Sequence, residues 1–177
     1  MYIPEEVERV LISEDELKAK VKEIGAELTQ EYAGKNPLFI CVLKGSVVFF
    51  ADLIRAVECP LEIGFLRASS YGDGTVSSGE VRITGGTSMS IAGRDVVIVE
   101  DILDTARTLY LLKNELLKQA PASLKIVSLL DKPARRVVSG FEADFCGFPI
   151  DDLFVVGYGL DCGEKYRNLP FVGVLRS

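Results

Sequence analysis

The sequence predicts an α/β fold: a mostly parallel, twisted sheet flanked by helices. Three observations carry this. Apolar runs and amphipathic segments alternate as strand, helix, strand, helix, strand, the pattern of crossover units on a parallel sheet. The cleanest run, Asp95 to Val99 (DVVIV), is apolar on both faces, as a strand covered by helices on both sides must be. The 177 residues are 48% hydrophobic and 26% charged, enough to bury one core, and no repeat or linker divides them. A single domain over residues 1–177 is therefore expected.

In chain order, residues 1–12 hold Ile3, Val7, Val10, Leu11 and Ile12 and are expected to lie against the body. Ser13 to Gly34 reads as a helix. Ser13 with Glu16 forms a capping box, Leu17, Val21, Ile24, Leu28 and Tyr32 recur at helical spacing, and Gly34 with Pro37 ends the run. Leu38 to Leu43 (LFICVL) is a buried strand, Lys44-Gly45-Ser46 a tight turn, and Val47 to Val57 a buried helix. Pro60 to Leu66 is the next strand. From Ala68 to Ser90 the chain turns to Gly, Ser and Thr, too polar for core, and only Glu80 to Thr84 alternates like a strand. A mobile hairpin or lid is expected there. After Asp95–Val99 come a loop at Glu100–Thr105 and a helix from Arg107 to Ala120, with Leu109, Leu112, Leu116 and Ala120 on one face. Leu124 to Leu130 is a strand; Phe145–Phe148, Leu153–Tyr158 and Phe171–Leu175 are shorter ones.

Composition removes several function classes. There is no histidine, so imidazole acid–base chemistry, serine and cysteine triads and histidine zinc sites are absent. The net charge of −6 argues against a broad nucleic-acid surface, which needs clustered Lys and Arg. Cys41, Cys59, Cys146 and Cys162 form no Cys-x-x-Cys pair and read as buried free thiols of a reducing compartment. The acidic opening, with no signal-peptide pattern, and the lack of any apolar stretch of transmembrane length make a cytoplasmic protein without membrane contact the expectation.

The informative segment is VVIVEDILDTART, Val96 to Thr108. A buried strand delivers Glu100 and Asp101 at its C-terminal end, where ligands of open α/β sheets bind. Asp104, Thr105, Thr108 and the start of a helix follow, and free helix-start amides suit an anion. One end therefore suits a phosphate, the other vicinal hydroxyls or a hydrated Mg²⁺. Together they describe a ribose 5-phosphate. The bland alternative is a helix cap beside a solvated acidic turn. A Walker loop is absent, because no Gly-Lys-Ser/Thr occurs.

This segment resembles the donor loop of the type I phosphoribosyltransferases, specifically the hypoxanthine-guanine branch. Other family features are similar and in the same order: Leu43-Lys44-Gly45-Ser46, Ser69-Ser70-Tyr71-Gly72, Leu130-Asp131-Lys132, Phe154 to Asp161, and Glu164 to Leu169. The resemblance implies a core over about residues 35–150, a small hood from residues 1–12 and 151–177, and a lid over 68–90. It implies transfer of a phosphoribosyl group from phosphoribosyl pyrophosphate to a 6-oxopurine in purine salvage, with Mg²⁺. Glu100 and Asp101 would bind the ribose hydroxyls or the metal. Backbone amides of Asp104, Thr105, Ala106, Arg107 and Thr108 would cradle the 5-phosphate. Asp104 would handle the purine N7 proton as general acid or base. Lys132 would donate to the 6-oxo group, Phe154 would stack on the ring, and Val155 would bond its edge. Asp161 would support a second Mg²⁺ beside the purine. Lys44, Gly45 and Arg167 would hold the pyrophosphate, the Lys44 peptide being cis in some members. Ser70 and Tyr71 would close over the site.

Two departures from the family pattern stand out. Ala106 replaces the usual Gly, which costs on the order of 1 kcal/mol if its φ is positive and little if it is negative. Arg135-Arg136 has no assigned counterpart and reads either as a subunit contact or as a further pyrophosphate ligand. A homodimer or homotetramer is expected, with Val47-Val48-Phe49-Phe50 as the interface helix. Two other functions stay open: a phosphoribosyl pyrophosphate sensor that binds nucleic acid, and a transferase preferring xanthine.

Overall fold

The computed structural model describes residues 2–70, 81–84 and 90–176. Its elements are β1 (Val7–Ile12), α1 (Glu14–Glu31), β2 (Leu38–Leu43), α2 (Val47–Ala56), β3 (Glu62–Ser70), β4 (Val81–Thr84), β5 (Asp95–Leu103), α3 (Arg107–Leu117), β6 (Ser123–Asp131), a 3₁₀ turn (Pro133–Arg135), β7 (Phe145–Pro149), β8 (Val155–Val156) and β9 (Val172–Leu175). The main sheet has the order β4-β3-β2-β5-β6-β7. Five of its strands are parallel, and β4 pairs antiparallel with β3 at the edge. A second sheet, β1-β9-β8, is antiparallel and joins the two ends of the chain.

Strand alternation sorts the core into two layers. Phe39, Cys41, Val97, Val99, Val127 and Leu129 face α1 and α2, where Leu17, Val21, Ile24, Leu28, Phe49 and Leu53 cover them. Leu38, Ile40, Val96, Ile98 and Ile126 face α3 and its Leu109, Leu112 and Leu116. The central strands are thus apolar on both faces because both faces are roofed. Ser13 does form the capping box with Glu16 that starts α1.

Several boundaries differ from the sequence reading. The expected loop at Glu100–Thr105 is strand as far as Leu103, because β5 continues its ladder with β6 through Glu100↔Ser128 and Leu103↔Asp131. Helix α3 stops at Leu117 rather than Ala120, which sits at φ 53° just before Pro121. The last turn expected of α1 is not helical; Gly34 lies at φ 73°. The strand expected over Leu153–Tyr158 shrinks to two residues, because Gly157, Tyr158 and Gly159 all have positive φ. From the segment expected to lie against the body, Val7–Ile12 forms an edge strand. Of the expected lid, 71–80 and 85–89 lie outside the described residues, Tyr71 among them. Phe49 and Phe50 are core residues at 0% and 2% exposure, so only Val47 of the expected interface helix stands well out. All four cysteines are free, but only Cys41 is fully buried; Cys146 and Cys162 are exposed. Among the described residues, no helix is long and apolar enough to cross a membrane.

Candidate active site

The site is built at the C-terminal ends of β2, β5 and β6. β5 delivers Glu100 and Asp101, and the chain then turns through Asp104, Thr105 and Ala106 into α3. Glu100, Asp104, Thr105, Ala106 and Thr108 line a cavity of about 120 Å³ at the helix N-terminus. First-turn amides of a helix have no partner within it, so the wall of this cavity can donate to an anion. Ala106 takes φ 67° and ψ −5° and is buried. A left-handed turn, which favours Gly, is therefore made here by Ala, and the residue carries that conformational cost.

Glu100 and Asp101 are partly buried neighbours. Burial, reinforced by the adjacent Asp101 carboxylate, pushes the Glu100 pKa well above the usual carboxylate range. Burial raises Asp101 as well, although hydrogen bonds from Glu100 and the Ile102 amide pull the other way. Two acids held together away from water lack compensating charge, and a cation or a ligand's hydroxyl donors would supply what is missing.

Opposite this pair, the Leu43–Lys44 peptide is cis. Gly45 presses against Asp101: a Cβ there would fall on Asp101 Oδ2. Gly159, at φ 102°, meets the other side of the turn, and its Cβ would fall on the Gly45 carbonyl oxygen. Arg167 Nη1 donates to the Gly159 carbonyl at 2.7 Å, and Nη2 pairs with Asp161 at 2.8 Å. Lys44 Nζ lies 3.1 Å from Glu164. Lys44, Gly45, Asp101, Asp161 and Arg167 thus come together where the loop after β2 meets the segment after β8. Both Asp161 oxygens are engaged, one by Arg167 and one by the Glu164 amide at 2.8 Å. Among the described residues no three acidic or cysteine side chains gather as a metal cluster.

At the other end, Lys132 is buried at 7% exposure, with Nζ 3.9 Å from Asp152. A nearly buried lysine with only a distant carboxylate partner is a donor awaiting an acceptor. Val155 is buried, while Phe154 is 60% exposed, a ring available for stacking. Asp104 Oδ1 lies 2.9 Å from Arg135 Nε, yet off the N–H direction, so this buried oxygen has no aligned hydrogen bond. Ser70 closes β3; Tyr71 lies outside the described residues.

Sequence reasoning missed Asp152 and Gly159, and it singled out Arg135 without placing it beside Asp104. Asp152 reaches Lys132 and Arg135 across a loop, so no local spacing announces it. Gly159 was legible only as part of a Gly-Tyr-Gly turn. The Pro133 that opens the 3₁₀ turn was the one available signal that Arg135 is held in place.

The phosphoribosyl transferase domain model matches residues 13–162. A hypoxanthine-guanine phosphoribosyltransferase of Lactococcus lactis is 54% identical over 170 residues, covering 96% of this chain and 92% of that protein. The bifunctional protein TilS/HprT of Listeria innocua is 52% identical over 97% of this chain, which spans only 26% of that protein's length. A hypoxanthine phosphoribosyltransferase structure from Staphylococcus aureus superposes with a TM-score of 0.92 at 46% identity, over 97% of this chain and 92% of that one. The chain belongs to the phosphoribosyl transferase domain family.

Proposed function

We propose that this chain transfers the 5-phosphoribosyl group from phosphoribosyl pyrophosphate to a 6-oxopurine, hypoxanthine or guanine, releasing pyrophosphate, in purine salvage. One observation carries the reading: a partly buried acid pair, an anion-sized cavity at a helix N-terminus and a buried lysine share the C-terminal edge of one sheet. In this reading the cavity amides and Thr105 and Thr108 hold the 5-phosphate. Glu100 and Asp101 face the ribose hydroxyls. Lys44, the Gly45 backbone and Arg167 receive the departing pyrophosphate. Asp104 offers its unaligned oxygen to the purine N7 proton, Lys132 donates to the 6-oxo group, and Phe154 covers the ring.

The acid pair fits Mg²⁺, an ion that takes one or two carboxylates together with substrate phosphates and keeps several waters. Bound there, Mg²⁺ would supply positive charge to the ribose and pyrophosphate oxygens. The asymmetry of the site favours a 6-oxopurine over adenine, because Lys132 is a donor only and an exocyclic amine would face it donor to donor. The same reading assigns exposed Val47, Ile63 and Phe65, beside the Phe50–Phe65 ring pair at 5.7 Å, to a contact between copies in a homodimer or homotetramer.

The test is nucleotide formation with Mg²⁺, phosphoribosyl pyrophosphate and, separately, hypoxanthine, guanine, xanthine and adenine. Turnover with hypoxanthine or guanine and not adenine is expected. Donor binding without turnover on any base would refute the reading and favour a sensor.

A further inference from the structure

We infer that the adjacent pair Arg135 and Arg136 are positioning residues for Asp104, one gripping its carboxylate and the other its carbonyl. The inference rests on the proposed role of Asp104 at the purine. Arg136 is nearly buried. Its Nη1 donates to the carbonyls of Leu103, at 3.3 Å, and Asp104, while Nη2 pairs with Asp131 at the end of β6. It therefore fastens the start of the donor loop to the neighbouring strand. Arg135 Nε sits 2.9 Å from Asp104 Oδ1, and its Nη1 lies 3.3 Å from Asp152 Oδ1. Asp152 is in turn 3.9 Å from Lys132 Nζ. A continuous run of alternating charge, Asp104–Arg135–Asp152–Lys132, thus joins the group assigned to N7 to the group assigned to the 6-oxo oxygen.

The backbone leaves this run little slack. The Lys132 amide donates to the Leu103 carbonyl at 2.9 Å, the Arg135 amide to the Lys132 carbonyl at 3.0 Å, and the Val137 amide to the Thr105 carbonyl at 3.1 Å. The segment from 132 to 137 is stapled along the donor loop, so both guanidinium groups are aimed at Asp104 by main-chain bonds. Arg135 holds the carboxylate by charge while leaving Oδ1 without an aligned hydrogen bond. That is what an acid–base group needs: a fixed position and a lone pair still open to the substrate proton. Arg135 meets the two carboxylates through different nitrogens of one planar fork, Nε and Nη1, a geometry that a single ammonium does not reproduce, so lysine is not equivalent here.

A half-exposed ion pair contributes little to folding, so a merely structural Arg135 should be nearly silent in every assay. The positioning role predicts otherwise. In the full chain, with wild-type turnover on hypoxanthine established first, Arg135→Ala is expected to lower kcat on the order of 10- to 100-fold. The Michaelis constant for phosphoribosyl pyrophosphate should move less than about twofold and that for hypoxanthine more, since Lys132 shares the network. Arg135→Lys should recover part of kcat, and Asp152→Ala should reproduce part of the loss by releasing the other arm. Calorimetric titration with the nucleotide product should show the Arg135→Ala affinity falling while the melting temperature holds. Unchanged kcat in Arg135→Ala would overturn the inference while leaving the proposed reaction standing. So would a loss in which both Michaelis constants and the melting temperature move together and Lys restores nothing. Wild-type inactivity on every base would instead refute the reaction itself.

Discussion

Replacing Gly159 by alanine should separate the segment after β8 from the turn after β2. Two costs are independent. The φ of 102° is one that glycine adopts freely and alanine does not, a penalty on the order of 1–3 kcal/mol. The new Cβ would also overlap the Gly45 carbonyl oxygen, a backbone atom that cannot swing aside. Relieving that overlap moves the Gly159 carbonyl away from Arg167 Nη1, now at 2.7 Å, and a hydrogen bond to a charged group contributes about 1.5–3 kcal/mol. The sum, about 2.5–6 kcal/mol, corresponds to a fall in Tm of roughly 5–24 °C for a chain of this size. Gly140→Ala is the control: φ is also positive at 72°, but nothing lies within 4 Å of its Cβ. It should lose about 1 kcal/mol, or roughly 2–4 °C. The assay is thermal unfolding of both variants beside the wild type, with the donor Michaelis constant as a second readout, expected to rise in Gly159→Ala alone. If the two variants melt within about 3 °C of each other, the Gly45–Gly159 contact is slack and the reasoning fails.

Ala106→Gly relieves a left-handed penalty of about 1–2 kcal/mol but removes a buried methyl worth about 0.8 kcal/mol and frees the unfolded chain by about 0.4–1 kcal/mol. Unfolding stability should therefore change by less than about 1 kcal/mol, and a loss above about 2 kcal/mol in chemical denaturation would show the methyl packed far more tightly than its surroundings imply. Glu100→Gln should raise Tm at neutral pH. The raised pKa means the folded chain binds more protons than the unfolded one, so wild-type stability falls as pH climbs from the ordinary carboxylate range through the folded value. The variant removes that slope, and its advantage should vanish toward pH 4; a variant advantage that persists there would contradict the acid-pair account. Lys132→Ala should raise the Michaelis constant for hypoxanthine on the order of 10- to 100-fold with little change for the donor. Equal movement of both constants in steady-state kinetics would remove Lys132 from base recognition.

What could be read from the sequence was whatever is contiguous. The strand-to-helix segment from Val96 to Thr108 carries its acids, hydroxyls and helix start within a few residues, so its chemistry shows in its spelling. The same locality misplaced the end of β5. Paired acids look like loop, yet Glu100 and Asp101 stay in the ladder because Ile102 and Leu103 still have β6 partners beside them. The two-residue β8 was overrun for the opposite reason: Tyr158 reads as strand but takes φ 49° between two glycines. Contacts between separate segments that no motif carries were not legible. Asp152 near Lys132 follows from the neighbouring ends of β6 and β7, while Gly159 against Gly45 and Tyr158 donating to Asp52 at 2.7 Å follow from how the small sheet seats on the large one. No spacing rule encodes that seating.

The acid pair explains why the surrounding frame is so apolar. Val97 and Val99 beneath Glu100 are fully buried, as are Phe39 and Cys41 on the adjoining strand. A soft frame would let two crowded carboxylates swing out to water, and their pKa values would relax toward ordinary ones. The double-faced sheet prevents this, so the pair keeps its raised pKa until something at the site takes the place of the proton. By linkage, whatever binds only the folded pair must stabilise the chain by RT ln(1 + [L]/Kd). Stability and ligand occupancy are therefore one equilibrium here. Titrating Mg²⁺ against wild type and Glu100→Gln makes this concrete. The wild-type Tm should climb with the ion, and more steeply once pyrophosphate supplies further oxygens. The variant, with half the pair neutral, should start higher and climb less. If the two rise in parallel, the ion is held by groups other than the acid pair, and the raised carboxylates serve only the ribose hydroxyls.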